Sequence, residues 1–146
     1  MRRTVAPIVL WLACGLALAG CYGSASRSVS EGGGVAADGA DVLVPQLNSF
    51  TETLLTKVEK AEDPKAGVAE AQALLDARRQ EFASGIAALK RGAPDSGSKA
   101  KLLEAEVDNT GRVHRLQLKY ADEAARDAVL KARLERLIDD YDALYR

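Results

Sequence analysis

Apolar residues recur every three or four positions over residues 43–61, and this spacing restricts the segment to one kind of structure. The steps are 4, 3, 4, 4 and 3, through Leu43, Leu47, Phe50, Leu54, Val58 and Ala61. That is the period of an α-helix with one buried face. Pro45 fits only in a first helical turn, because proline has no amide hydrogen to donate. The pattern predicts an amphipathic helix over residues 44–62.

A second helical pattern opens with an aspartate and a proline. Asp63 can accept a backbone hydrogen bond as the cap, and Pro64 lacks the amide that would be left unpaired in the first turn. Arg78 interrupts the apolar period, and we expect its stem at the edge of the core with its charge in water. The sequence predicts a helix over 64–90, followed by a turn over 91–98. Its apolar face consists of Val68, Ala71, Leu75, Phe82, Ile86 and Leu89.

Residues 99–146 carry two apolar series that are out of phase. One straight helix of this length would be about 72 Å long and would extend far beyond the first two helices. We therefore expect a reversal over 121–123 with Asp122 as the cap, which closes an antiparallel bundle of three to four helices. Gly111 offers a second break, and a single long helix that projects for dimerisation is the alternative. The series are Leu102, Leu103, Val107, Val113, Leu116 and Tyr120, then Leu130, Leu134, Leu137, Tyr141 and Leu144.

The composition favours one all-α domain over residues 42–146. About 100 residues rich in Ala, Leu, Glu, Lys and Arg suffice for a single core and not for two. The chain has 20 Lys and Arg against 21 Asp and Glu. This balance gives no basic patch of the kind that binds nucleic acid.

The N-terminus has the three parts of an export signal. Arg2 and Arg3 precede an apolar run over residues 5–19, and small residues follow. The run has about 15 residues, whereas a membrane span needs roughly 20. We therefore predict a cleaved signal peptide over residues 1–20 and not a transmembrane helix.

The end of this signal resembles the lipobox of bacterial lipoproteins, a leucine, two small residues and a cysteine, here Leu18, Ala19, Gly20 and Cys21. In that family the cysteine thiol receives a diacylglycerol, a peptidase cuts before it, and the freed amine is acylated. The resemblance implies that Cys21 is lipidated and becomes the first mature residue. Two or three acyl chains anchor a protein stably. Tyr22, in place of the aspartate of inner-membrane lipoproteins, favours the outer membrane, facing the periplasm.

Residues 21–41 are predicted to be the lipidated cysteine and a flexible linker. The segment is rich in Gly, Ser and Ala, with isolated valines at positions 29 and 35. Such a composition buries too little apolar area to offset the loss of chain entropy. A linker of this length would reach about 25 Å.

His114 is the only histidine of the chain, so a metal site would have to recruit carboxylates around it. Glu106, Asp108 and Asp122 are the candidates, and none has the spacing that metal-binding bundles use. We expect His114 to be a surface or half-buried helix residue, and we expect neither a metal nor another cofactor.

The C-terminal segment concentrates acidic and aromatic side chains. Its carboxylates lack the turn glycine and further oxygens of a calcium loop, so a solvated helix face is expected. Its tyrosines stand at helical spacing, which favours core packing with hydroxyls at the rim over a recognition surface. The residues are Asp139, Asp140 and Asp142 in the first group, and Tyr120, Tyr141 and Tyr145 in the second.

The sequence predicts an interaction or scaffold module and no enzyme, because it has neither a nucleophile motif nor a phosphate-binding loop. Residues 58–90, with the run Asp63, Pro64 and Lys65, resemble small Ala- and Glu-rich helical lipoproteins of bacterial envelopes. We expect binding to another envelope protein or to a second copy. The alternative is a periplasmic carrier of a small apolar ligand, in room left by Ala69, Ala71, Ala73, Ala87 and Ala88.

Overall fold

A computed structural model describes residues 35–146, with side chains from Gly39 onwards. These residues form five α-helices, a 3-10 turn and no strand, which confirms the all-α class for this part of the chain. The signal peptide, Leu18, Ala19, Gly20, the lipidation residue Cys21 and the linker up to residue 34 lie outside the described residues. The elements are α1 Val35–Glu59, α2 Pro64–Arg91, α3 Ser96–Lys119, α4 Ala121–Arg126, α5 Ala128–Asp142 and the 3-10 turn Ala143–Tyr145.

α1 begins at Val35, earlier than the predicted residue 44, and ends at Glu59. Residues 35–41, which were predicted to belong to the linker, are therefore helical. The extension is held by tertiary contacts, since Ala40 is fully buried and Asp41 forms an ion pair with Lys101 of α3. Pro45 consequently lies inside the helix and not in its first turn, so the prediction for Pro45 is wrong.

Aspartates begin three of the helices. Asp63, Asp95 and Asp127 each accept a hydrogen bond from the backbone amide two residues later, at 2.8–3.0 Å. The predicted start of α2 at Asp63 is confirmed. The predicted cap Asp122 is wrong, because it lies in the first turn of α4 and α5 starts from Asp127. A hydrogen bond from Lys65 and the helix amides lower the pKa of Asp127.

The C-terminal part is neither one long helix nor a pair of helices that meet at residues 121–123. α3 continues through Gly111 without a break and ends at Lys119. Tyr120 is buried, and its hydroxyl donates to the carbonyl oxygen of Val58 at 3.3 Å. This contact holds the end of α3 against α1, and the short helix α4 then leads to Asp127.

Contacts between side chains give the directions of the helices. α1 contacts α2 and α3, and α5 contacts the same two helices. α1 runs opposite to α2 and in the same direction as α3, while α5 runs in the same direction as α2. The pairs that show this are Leu43–Gly85 and Lys57–Glu70 for α1 and α2, Asp41–Lys101 and Glu59–Lys119 for α1 and α3, and Lys65–Asp127 and Arg79–Asp140 for α2 and α5.

The core contains most of the apolar residues that the helical period predicts. Every predicted apolar residue of α2 and of the last series is buried. α3 differs, because Leu103 and Val107 are exposed while Ala105 and Asn109 lie in the core. The inner face of α3 is therefore rotated from the one predicted. Its buried residues are Ser98, Leu102, Ala105, Asn109, Val113 and Leu116.

Arg78 lies at the edge of the core, as predicted. Its guanidinium carbon is 5.1 Å from the centre of the Phe82 ring, and its Nε is 2.6 Å from a carboxylate oxygen of Glu81. The Phe82 ring contacts Phe50 of α1, with 4.7 Å between ring centres. The long stem of Arg78 thus covers an aromatic contact between α1 and α2 while its charge stays in water.

Gly67 marks the closest approach of α2 to the end of α1, so we expect Gly67→Ala to destabilise the fold. An added Cβ would lie 2.7 Å from Cβ of Ala61 and 2.9 Å from the carbonyl oxygen of Lys57. Overpacking of this kind lowers the free energy of unfolding by about 1–3 kcal/mol, measured by urea denaturation. Gly111→Ala is the control, because its Cβ meets nothing within 4 Å. It should raise stability by about 1 kcal/mol, and equal stabilities for the two variants would contradict the close approach.

Candidate functional site

His114 lies on the exposed side of α3 and pairs with one carboxylate. Its Nε2 is 2.9 Å from a carboxylate oxygen of Asp142 at the end of α5. Of the predicted metal partners, Glu106 borders the same shallow depression together with Arg146, whereas Asp108 and Asp122 do not. Within residues 35–146, no three histidine, cysteine or carboxylate side chains converge as a metal site would require. The arrangement supplies a hydrogen bond between α3 and α5.

The acidic residues near the C-terminus separate into different environments. Asp139 is exposed, as expected for a solvated face. Asp140 is half-buried and accepts hydrogen bonds from Arg79 at 3.0 Å and from Gln72 at 2.9 Å, so it joins α5 to α2. Asp142 contacts His114 instead. Asp140 and Asp142 therefore hold neighbouring helices, and the three carboxylates do not converge on a cation.

Tyr141 and Tyr145 pack in the core, as predicted, but their hydroxyl groups lie inside it and not at the rim. Tyr141 is fully buried and its hydroxyl hydrogen-bonds to Oγ1 of Thr51. Asn109, also fully buried, donates to Oδ1 of Asn48 at 2.7 Å. Among the described residues, the Tyr145 hydroxyl and Oδ1 of Asn109 have no hydrogen-bond partner. We call Thr51, Asn109, Tyr141 and Tyr145 the polar core cluster, and Asn48, which is exposed, borders it.

Burial sets the protonation state of the two phenols in this cluster. Loss of hydration raises the pKa of Tyr141 and that of Tyr145 above the ordinary tyrosine range. The charged form of a phenol is costly in an apolar interior, so both groups stay neutral at physiological pH. The polar core cluster consequently holds helices in register and offers neither a base nor a nucleophile.

α3 carries a second apolar stripe on the side away from the core. Its large side chains are well exposed, with Leu103 at 60%, Val107 at 65% and Leu118 at 79%. At 100° per residue, the stripe points about 160° away from the buried residues of the same helix. A helix that packs on the buried face of α3 cannot also cover this opposite face, so within residues 35–146 these side chains remain exposed. We call it the α3 outer stripe, and it comprises Ala100, Leu103, Val107, Gly111, His114 and Leu118.

Charges along one edge of the α3 outer stripe are partly segregated by sign. Glu104 and Asp108 stand beside its first half together with Lys101, which pairs with Asp41 of α1. Arg112, Arg115 and Lys119 stand beside its second half. Lys119 contacts Glu59 of α1 at 2.9 Å, and this hydrogen bond raises its pKa. Apart from Lys101, the edge therefore runs from acidic to basic along the helix.

The other exposed apolar residues stand singly. Val42 is on α1 and Val129 is at the start of α5, and isolated apolar side chains are ordinary on protein surfaces. A row of them on one helix face indicates an interaction surface. None of the helices in residues 35–146 is long and apolar enough to cross a membrane.

The sequence contains a signal for this stripe that the helical period alone did not separate. Ala100, Leu103 and Val107 are followed eleven residues later by Gly111, His114 and Leu118. Eleven residues are close to three turns of a straight helix, so such pairs share a face. Leu103 and Val107 were instead combined with Leu102 into one predicted core series.

The buried phenols predict that the protein loses stability at alkaline pH. Below about pH 10 both phenols are neutral in the folded and the unfolded chain, and their contribution is fully present. As pH rises above 10, the unfolded chain releases protons that the folded chain retains. The free energy of unfolding should fall, by at most about 1.4 kcal/mol per pH unit for each phenol.

Denaturant titrations between pH 7 and 11.5 measure this loss in wild type, Tyr141→Phe and Tyr145→Phe. Each variant removes one titrating group and should show a shallower decline than wild type. Identical declines in all three proteins would contradict the effect of burial on the two phenols.

The α3 outer stripe and the polar core cluster are thus the two features of the described residues that fold class alone does not explain. No protein-family model matches the chain, and neither a curated protein nor a solved structure does.

Proposed function

We propose that the chain is a lipid-anchored bacterial envelope protein whose helical domain is a non-catalytic interaction or scaffold module. The α3 outer stripe is the observation that carries this proposal. It places Leu103, Val107 and Leu118 in solvent along one helix, beside a charged edge. An apolar centre with a polar rim is the composition of a protein–protein interface.

The anchor is proposed from the sequence of the signal. Leu18, Ala19 and Gly20 place Cys21 where lipoproteins are lipidated, and Tyr22 favours the outer membrane, facing the periplasm. Two or three acyl chains would hold the protein on the membrane permanently. The domain that begins with α1 would then present its surfaces to other envelope proteins or to further copies of itself.

We also propose that the domain is an antiparallel bundle with α1, α2, α3 and α5 as its long helices. The support is that consecutive long helices alternate in direction along the chain, so the contacting pairs α1–α2 and α3–α5 are antiparallel, whereas the contacting pairs α1–α3 and α2–α5 are parallel. In such a bundle, each helix buries one face in a shared core. The outer face of α3 is then left for a partner.

A carrier of a small apolar ligand is the alternative, and we consider it less well supported. The carrier hypothesis placed the ligand in space left between helices by five alanines of α2. Only Ala71 is buried, and Ala69, Ala73 and Ala88 are exposed. Catalysis is also less well supported, because the hydroxyl group of Thr110, which lines the same depression as His114, donates to the backbone carbonyl oxygen of Glu106 and not to His114.

Site-specific photo-crosslinking in cells that express the intact chain tests the interaction function. A photo-reactive residue at Val107 should give a discrete crosslinked protein, because that position lies in the α3 outer stripe. The same residue at Val42, which is 59% exposed on α1, is the matched control and should give none. Cys21→Ser, which removes the anchor, should lower the yield because the copies are no longer concentrated at the membrane.

Leu103→Glu then tests the contribution of the apolar side chain. Burying a leucine stabilises a contact by about 1.5–3 kcal/mol, so the yield at Val107 should fall about tenfold. An unchanged yield, or the same product from Val42, would contradict an interaction face on α3.

A further inference from the structure

We propose that the partner of the α3 outer stripe is the same stripe on a second copy of this chain, paired antiparallel about a two-fold axis beside Gly111. This inference rests on the proposed interaction function and specifies its partner. A surface that pairs with itself about a two-fold axis must be complementary to its own reverse. The charges and side-chain sizes along α3 satisfy that condition.

The charged edge is complementary to itself only when the two helices run in opposite directions. With the two-fold axis between residues 111 and 112, Glu104 faces Lys119 of the second copy, and Asp108 faces Arg115 of the second copy. Each pair occurs twice by symmetry. All four contacts therefore join opposite charges.

A parallel pairing about a two-fold axis gives no such complementarity, because it brings the charged edge of one copy against the other edge of the second copy. Glu104 and Asp108 would then lie near Glu106 of the second copy, and Arg115 would lie near the neutral Gln117. Like charges that face each other across an interface are strongly unfavourable. On the other edge of the stripe, the antiparallel arrangement sets Glu106 opposite Gln117, so it creates no repulsion there.

The apolar residues come close to matching in this register. Leu103 is offset by two residues, about 3 Å along the helix, from Leu118 of the second copy, and Val107 is offset by the same amount from His114. The large side chains are thus distributed over the whole contact. Gly111 lies at the centre. An added Cβ there would meet nothing within 4 Å in its own chain, so the helix backbone is open to close approach at that point.

A lipid surface fits this face less well than a second copy. Helices that lie on anionic membranes carry Lys and Arg along the polar sides of the apolar face. The edge of the α3 outer stripe instead includes the acidic residues Glu104 and Asp108. Two of its basic residues, Lys101 and Lys119, already pair with Asp41 and Glu59 of α1. This mixture suits a partner of mixed charge.

Charge reversal at one contact gives a test in which repulsion can be introduced and then removed. Intact chains that carry two different tags are crosslinked with formaldehyde in cells, and the fraction of the second tag that is recovered with the first is measured as the dimer fraction. Asp108→Arg alone makes two Arg–Arg contacts, and Arg115→Asp alone makes two Asp–Asp contacts. We expect each to lower the dimer fraction about tenfold, from the loss of two attractive pairs and the gain of two repulsive ones.

Two restorations make the test specific. Differently tagged Asp108→Arg and Arg115→Asp chains, expressed together, should form a mixed dimer at close to the original level, because both contacts then join opposite charges. The chain with both substitutions should recover its own dimer for the same reason. Thermal unfolding of the purified variants checks that each one folds.

The outcomes separate this inference from the proposed function. Loss with either reversal and recovery in both restorations supports self-pairing about the axis near Gly111. If the charge reversals leave the dimer fraction unchanged, or if the restorations do not recover it, self-pairing is overturned. If photo-reactive Val107 links to a different protein, or to lipid, and not to a second copy, self-pairing is overturned. With a different protein the interaction function stands, whereas labelling by lipid alone also removes that function.

Discussion

The hydrogen bond between Thr51 and Tyr141 joins α1 to α5 across the core, and the register of the remaining helices depends on it. Thr51 donates to the carbonyl oxygen of Leu47 at 2.8 Å, so the Tyr141 hydroxyl is the donor to Thr51. Both groups are fully buried, and a buried hydroxyl without a partner is costly, so a shift of α5 along α1 is strongly disfavoured. The same register brings Asp142 to His114 and turns Asn109 of α3 into the core.

Apolar spacing predicted the helices whose buried faces are made of large apolar residues. α5 is the clearest case, because its series has regular steps and every member is buried. α3 was misread because its inner face uses Ala105 and Asn109, a small and a polar residue, while Leu103 and Val107 face outwards. Hydrophobicity alone then indicates the wrong side of the helix.

The ends of the helices depended on contacts that are remote in sequence. Asp122 and Asp127 are both suitable caps by residue type, and only Asp127 receives Lys65 of α2, at 2.9 Å. The start of α1 was missed for a similar reason, since Ala40 has little apolar area of its own and is held by the helices around it. Neither contact can be predicted from the residues that are adjacent in sequence. The contacts of Asp140 with Arg79 and of Asp142 with His114 could not be predicted for the same reason.

A lipid anchor and a modest pairing surface are suited to each other. The α3 outer stripe has only three large apolar side chains, so pairing through it would be weak between copies that diffuse freely. Copies that share a membrane surface meet at a much higher effective concentration, and a weak contact then becomes significant. Lipidation at Cys21 would therefore strengthen the pairing of copies as well as fix the protein at the membrane. A larger apolar face would remove this dependence, because it would also associate before the chain reached the membrane.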